Sequence, residues 1–146
     1  SSDSYVVEIE KFFPEVKLFQ QACPLWVPMI ENNEISNEGA DFFIKKYCKE
    51  LLKKSGKIDT IILACTHYPL IEKKIKKHLP ENIKLISQGN IVAKSLNDYL
   101  QRHPEMSHRC SKHGSIKFLT TDSPETFNNA AKLIYNKKVE AEQVGL

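Results

Sequence analysis

Apolar positions along the chain follow two alternating rhythms, one helical and one extended. Tyr5, Ile9 and Phe12 recur at helical spacing and predict a helix over residues 4–13. "VKLFQ" (16–20) then reads as a short buried strand. "QACPLWVPMIENNEIS" follows with two prolines and reads as an irregular connection rather than a helix. Ser36 is placed to cap the next helix, where Ala40, Phe43, Ile44, Tyr47, Cys48, Leu51 and Leu52 share one face and Gly56 ends the run. "DTIILA" is continuously apolar, the mark of a strand covered on both faces in a parallel sheet. Pro69 suits the first turn of a helix that turns Ile71, Ile75 and Leu79 inward. "IKLIS" (83–87) predicts another strand and residues 90–101 another helix, with "RHPEMSHRCSKHG" a polar loop after it. "SIKFLTT" and "SPETFNNAAKLIY" predict a last strand and a last helix, the latter capped by Ser123 ahead of Pro124.

This alternation argues an α/β fold with a mostly parallel sheet. The first helix has no strand before it, so the chain reads as entering in the middle of a βα unit, as a fragment would. Composition adds that 41% hydrophobic residues can fill a sizeable core. The sequence has no apolar run of about 18 residues that would predict a membrane span. "SSDSYVVEIEKFF" lacks the basic start and apolar stretch of a signal peptide. With four irregularly spaced cysteines, the expectation is a reduced, cytoplasmic protein. A net charge of +3 is mild, and the lysines of "KKY", "LLKK" and "EKKIKKH" fall on outer helix faces. Aromatic residues do not interleave with them, which argues against a nucleic-acid platform.

Candidate chemistry centres on "ACTHYPLI", where an apolar strand gives way to Cys65, Thr66 and His67. Reacting groups in open parallel sheets gather at the carboxyl ends of strands. A cysteine there, ahead of a helix, gains from N–H groups that favour a thiolate. Thr66 offers a hydroxyl, and His67 can move a proton near neutral pH. A packed core cysteine is the competing reading of Cys65, and position alone leaves both open.

The residues around these positions resemble glutamate racemase. "ACTHYPLI" is similar to the family's C-terminal signature, in which Gly or Ala precedes Cys-Thr-His-Tyr-Pro-Leu, and "QACPLWVPMIE" resembles its Ala-Cys-Pro-Leu-x-Val-Pro-Leu-Val-Glu block. "FLTTDSPETFNNAAKLI" and "VEAEQVGL" resemble its last strand and helix and its C-terminus, so the likeness runs over nearly the whole chain. It implies the C-terminal portion of an enzyme that interconverts L- and D-glutamate for peptidoglycan synthesis. It also implies two α/β domains with the active site in the cleft between them. Residues 1–88 would form most of the second domain. Residues 89–146 would return as a crossover helix, strand and helix that complete the first domain, with the N-terminal half absent. No cofactor is expected, and the complete protein is expected to be a homodimer.

Racemisation without a cofactor removes a weakly acidic Cα proton and returns one on the opposite face, which takes two acid/base groups across the substrate. Two cysteines serve when one is held as a thiolate. The resemblance makes Cys65 one of the pair, with Thr66 holding substrate, His67 supporting proton transfer and Glu31 assisting. Cys65, Thr66 and His67 are expected to line one concavity, with Glu31 facing it. The second catalytic cysteine lies in a Cys-Asn-Thr motif of the family that this chain lacks, as it lacks the early Asp-Ser-Gly segment. Cys23, despite its similar setting, is then expected to be structural, and Cys48 to face the core. In "ISQG", Ser87 and Gln88 replace the family's usual Asp-Ser. The chain alone is expected not to racemise glutamate, and its last strand, short of partners, to be poorly ordered, swapped or paired with a copy.

Three rivals stand beside this reading. His103, His108, Cys110 and His113 are zinc-ligand types, but H-x4-H-x-C-x2-H fits no common zinc module, so no metal is expected. Aspartate and hydantoin racemases share the two-cysteine plan. A non-catalytic α/β binding module would keep Cys65 for packing, and Cys65→Ala in the complete protein separates that case from an enzyme.

Overall fold

Helix α3 (Glu38–Leu52) carries the main core, and its amphipathic spacing is the reason. Ala40, Ile44, Tyr47 and Cys48 recur at three- and four-residue steps and are all buried. The computed structural model describes residues 3–135 and 137–145, and it divides into two compact units, Ser1–Ile86 and Ser87–Leu146.

In the first unit, α1 (Ser4–Phe12) buries none of its residues. A further helix, α2 (Trp26–Glu31), stands where the two prolines led to the expectation of an irregular connection. Pro28 is its third residue, inside the first turn, where a missing N–H breaks no intrahelical bond. The cap of α3 is Asn37 rather than Ser36: its side-chain oxygen accepts from the Ala40 N–H at 2.8 Å. The helix stops at Leu52, four residues short of Gly56.

Strand β1 (Thr60–Leu63) is followed by a 3₁₀ turn (Tyr68–Ile71), α4 (Glu72–Lys77) and β2 (Lys84–Ser87), and β1 and β2 form a two-stranded sheet. Leu63, Ile71 and Ile75 are buried against Ile44 and Tyr47, so both flanks of the β1–α4 loop are pinned to α3. Each such side chain contributes roughly 1.5–3 kcal/mol of apolar burial. β1 is not covered on both faces as its sequence predicts, since Ile62 is 41% exposed. "VKLFQ" is not a strand either: among the described residues no strand pairs with it, and residues 16–20 run without regular structure.

The second unit begins with α5 (Gln88–Arg102), then α6 (Pro104–Arg109) inside what the sequence presents as a polar loop. Pro104 opens α6, Glu105 lies in its first turn and His108 and Arg109 in its last, the order the helix dipole favours. β3 (Phe118–Thr120) leads into α7 (Pro124–Tyr135), where the Ser123 hydroxyl accepts from the Thr126 N–H at 3.5 Å. A short strand unforeseen in the sequence, β4 (Ala141–Gln143), pairs parallel to β3 with Phe118 opposite Ala141 and Thr120 opposite Gln143. The last predicted strand therefore has one partner within its own chain, β4.

Candidate active site

Trp26 sets the position of the site. Its indole packs edge-on against Tyr68 at 4.8 Å and Tyr47 at 6.0 Å, which fastens α2 both to α3 and to the 3₁₀ turn after β1. Ile30 is buried in the same cluster, so Glu31 emerges from the end of α2 beside the β1–α4 loop. That loop is itself held by short-range bonds: the Cys65 carbonyl accepts from Tyr68 N–H at 3.3 Å, and the His67 carbonyl from Leu70 N–H at 3.0 Å.

Three of the four sequence-predicted residues meet there. Cys65 Sγ lies 3.9 Å from His67 Nδ1, and His67 Nε2 lies 3.1 Å from Glu31 Oε1. With Glu31 accepting from Nε2–H, a neutral imidazole presents Nδ1 as an acceptor to the Cys65 thiol. The line Glu31–His67–Cys65 can thus draw a proton from the thiol and return it. Cys65 is half-buried, Thr66 beside it is exposed, and the Glu31 side chain is half-exposed. Ala64 and Tyr68 line the large groove of this unit, whereas Cys65, Thr66, His67 and Glu31 do not.

The other cysteines differ in kind. Cys23 is buried, and desolvation first, then the neighbouring Cys48 and Glu50, push its thiol up to about 12. Burial likewise pushes Cys48 up to about 11. Cys110 is exposed and donates to the Met106 carbonyl at 3.4 Å. Tyr68, to which the sequence reading assigned no role, has its phenol pushed up to about 12 by burial, with Cys23 and Cys65 beside it. Its only signal in the sequence is its place after His67.

Among the described residues no three His, Cys, Asp or Glu side chains gather to hold a metal ion. His103 pairs instead with Glu105 at 3.1 Å and lies over the Tyr99 ring.

No family model matches the chain. Glutamate racemase 2 of Caldanaerobacter subterraneus subsp. tengcongensis is 33% identical over 139 residues, which is 95% of this chain and 51% of that one. The crystal structure of a glutamate racemase isoform from Bacillus anthracis superposes with a TM-score of 0.83 at 29% identity, covering 99% of this chain and 53% of that one. The Francisella tularensis glutamate racemase in complex with D-glutamate gives 0.84 at 28% identity, covering 98% and 52%. The chain spans about half the length of the curated relatives it matches. Nearly the whole chain is thus homologous to glutamate racemases, and it corresponds to a portion, about half, of such an enzyme.

Proposed function

We propose that this chain is the C-terminal portion of a glutamate racemase and contributes one of its two acid/base thiols, Cys65. The contact line Cys65–His67–Glu31, in a chain homologous to glutamate racemases, is the observation that carries the reading. As thiolate, Cys65 takes the Cα proton from one face of glutamate. A second thiol, from the part of the enzyme outside this chain, protonates the resulting carbanion on the other face. His67 accepts and returns the Cys65 proton between turnovers, Glu31 holds the imidazole tautomer, and Thr66 contacts the substrate. The thiols need no cofactor. The D-glutamate complex of the Francisella relative supports the choice of substrate, and supply of D-glutamate to peptidoglycan in the cytoplasm is the corresponding role. Cys23 is an unsuitable second thiol: interconversion requires each thiol to act as thiolate base in one direction, and burial that raises Cys23 to about 12 opposes that form.

The test uses the complete enzyme, with D/L conversion followed by circular dichroism and α-proton exchange followed in D2O. Cys65→Ala should lower conversion by about 10²–10⁴-fold with folding intact. Glu31→Gln should lower turnover more than substrate affinity. Unchanged conversion in Cys65→Ala removes the thiol from the mechanism. This chain alone should not convert glutamate. Turnover near that of the complete enzyme would assign the second thiol to Cys23 or Cys110.

A further inference from the structure

Tyr68 is the side chain through which the core of the first unit reaches Cys65. Its backbone N–H donates to the Cys65 carbonyl at 3.3 Å, and its ring packs on the core cluster with the Trp26 indole edge-on at 4.8 Å. Trp26 in turn donates its backbone N–H to the Cys23 carbonyl at 3.1 Å, which sets Cys23 beside the same ring.

Packing accounts for the ring but not for its hydroxyl, and a hydroxyl withdrawn from water needs a partner. Burial raises the Cys23 thiol and the Tyr68 phenol alike, but the hydrogen bond between them draws the thiol back down and pushes the phenol further up. Opposite signs fix the direction. The phenol donates and the sulfur accepts, because a donor favours a thiolate and is itself held protonated. The Cys23 S–H points the other way, to the Gln21 carbonyl at 3.7 Å. Gln21, Cys23 and Tyr68 thus form a polar line from the run ahead of α2 to the turn that follows His67.

We infer that Tyr68 is a positioning residue for the Cys65–His67 pair, with its hydroxyl anchored on the Cys23 sulfur. The pair has little slack: Cys65 Sγ lies 3.9 Å from His67 Nδ1, and His67 must also keep Glu31 at 3.1 Å. A ring free to slip along Trp26 would carry the Cys65 loop with it, and misplacement by about 1 Å can cost about 10²-fold in rate. Cys23 acts here as an anchor and not as a reacting thiol. The inference rests on the proposed acid/base role of Cys65, and the test separates the two.

Tyr68→Phe, Cys23→Ala, Cys23→Ser and the Tyr68→Phe/Cys23→Ala double variant of the complete enzyme are compared, with urea unfolding confirming that each is folded. Tyr68→Phe keeps the ring and loses the bond. It should lower kcat about three- to tenfold, the effect of one hydrogen bond of ordinary strength, with KM nearly unchanged. Cys23→Ala should do the same, and the double variant should be no slower than either, since one link is lost once. Cys23→Ser restores an acceptor and should recover most of the rate. A purely structural pair would lower the urea midpoint and leave kcat of the folded enzyme untouched. Unchanged kcat in Tyr68→Phe, additive losses in the double variant, or no recovery in folded Cys23→Ser overturns the inference. Cys65→Ala read beside them tells the two failures apart. If conversion is lost there but intact in Tyr68→Phe, only the anchor is wrong; if it survives in Cys65→Ala, the acid/base role falls and the anchor with it.

Discussion

The two units are built from equally regular elements yet end in different conditions. In the first, α2, α3, the 3₁₀ turn and α4 turn their apolar faces onto one cluster around Ile44, Ile71 and Ile75. In the second, Val139 is the one buried residue among those described, and α5 leaves Ile91, Val92, Leu96 and Tyr99 at 40–61% exposure. An amphipathic pattern therefore states which face of a helix seeks burial, and nothing more. A core needs a second face to meet it, and α3 meets α2 and α4. The candidate site belongs to the unit with the core, because holding three side chains in line requires the elements beneath them to be fixed.

The largest expected effect is a direct contrast of core against surface. Ile44→Ala should destabilise the chain by about 2–5 kcal/mol, whereas Leu96→Ala on α5 should stay within about 0.5 kcal/mol. Urea unfolding followed by circular dichroism measures both, and comparable losses would mean that α5 packs as firmly as α3.

Alkaline pH should separate the units next. Cys23 and Cys48 rise from the ordinary 9.0 to about 12 and about 11 on folding. Their contribution is complete below about pH 9 and is lost as pH climbs through the folded values, by up to about 1.4 kcal/mol per pH unit for each thiol. Cys23→Ala should flatten the alkaline decline in stability. Alkylation by iodoacetamide at pH 8, mapped by mass spectrometry, should label Cys110 ahead of Cys23 and Cys48.

Capping offers a smaller contrast. Asn37→Ala removes a 2.8 Å bond at the head of α3 and should cost about 1 kcal/mol. Ser123→Ala removes a 3.5 Å bond at the head of α7 and should cost less. Equal losses in denaturant unfolding would place the two helices on the same footing.

The smallest effect concerns Asp41, whose carboxyl is held below its ordinary value by the hydrogen bond from Lys74 at 2.8 Å. The pair's contribution is present above the ordinary carboxylate range and disappears as pH falls through the lowered value. Both groups are solvated, so Asp41→Asn should only slightly soften the acid limb of a stability–pH curve. A large change near neutral pH would contradict the assignment.

Much of this was legible in the order of residues. Apolar periodicity located α1, α3, α5, α7 and the strands β1, β2 and β3, because spacing along a regular element decides which side chains share a face. The blocks around Cys65 and Glu31 carried the family. Three short elements were not legible: the six-residue α2 and α6 lie in stretches that read as irregular or polar, without the inward spacing that announced the equally short α4, and β4 is three residues paired with β3. Capping shifted by one position, from Ser36 to Asn37, since both side chains can accept the bond and the local backbone chooses between them.

Sequence alone thus determined the residues with chemistry to offer and the helix and strand faces that seek burial. Only the tertiary structure decided which of them meet. Glu31 and His67 are 36 positions apart and come within 3.1 Å because Trp26 packs between Tyr47 and Tyr68. "VKLFQ" carries a strand's sequence but no strand's bonds, because pairing is a property of two segments, and among the described residues none forms a ladder with it.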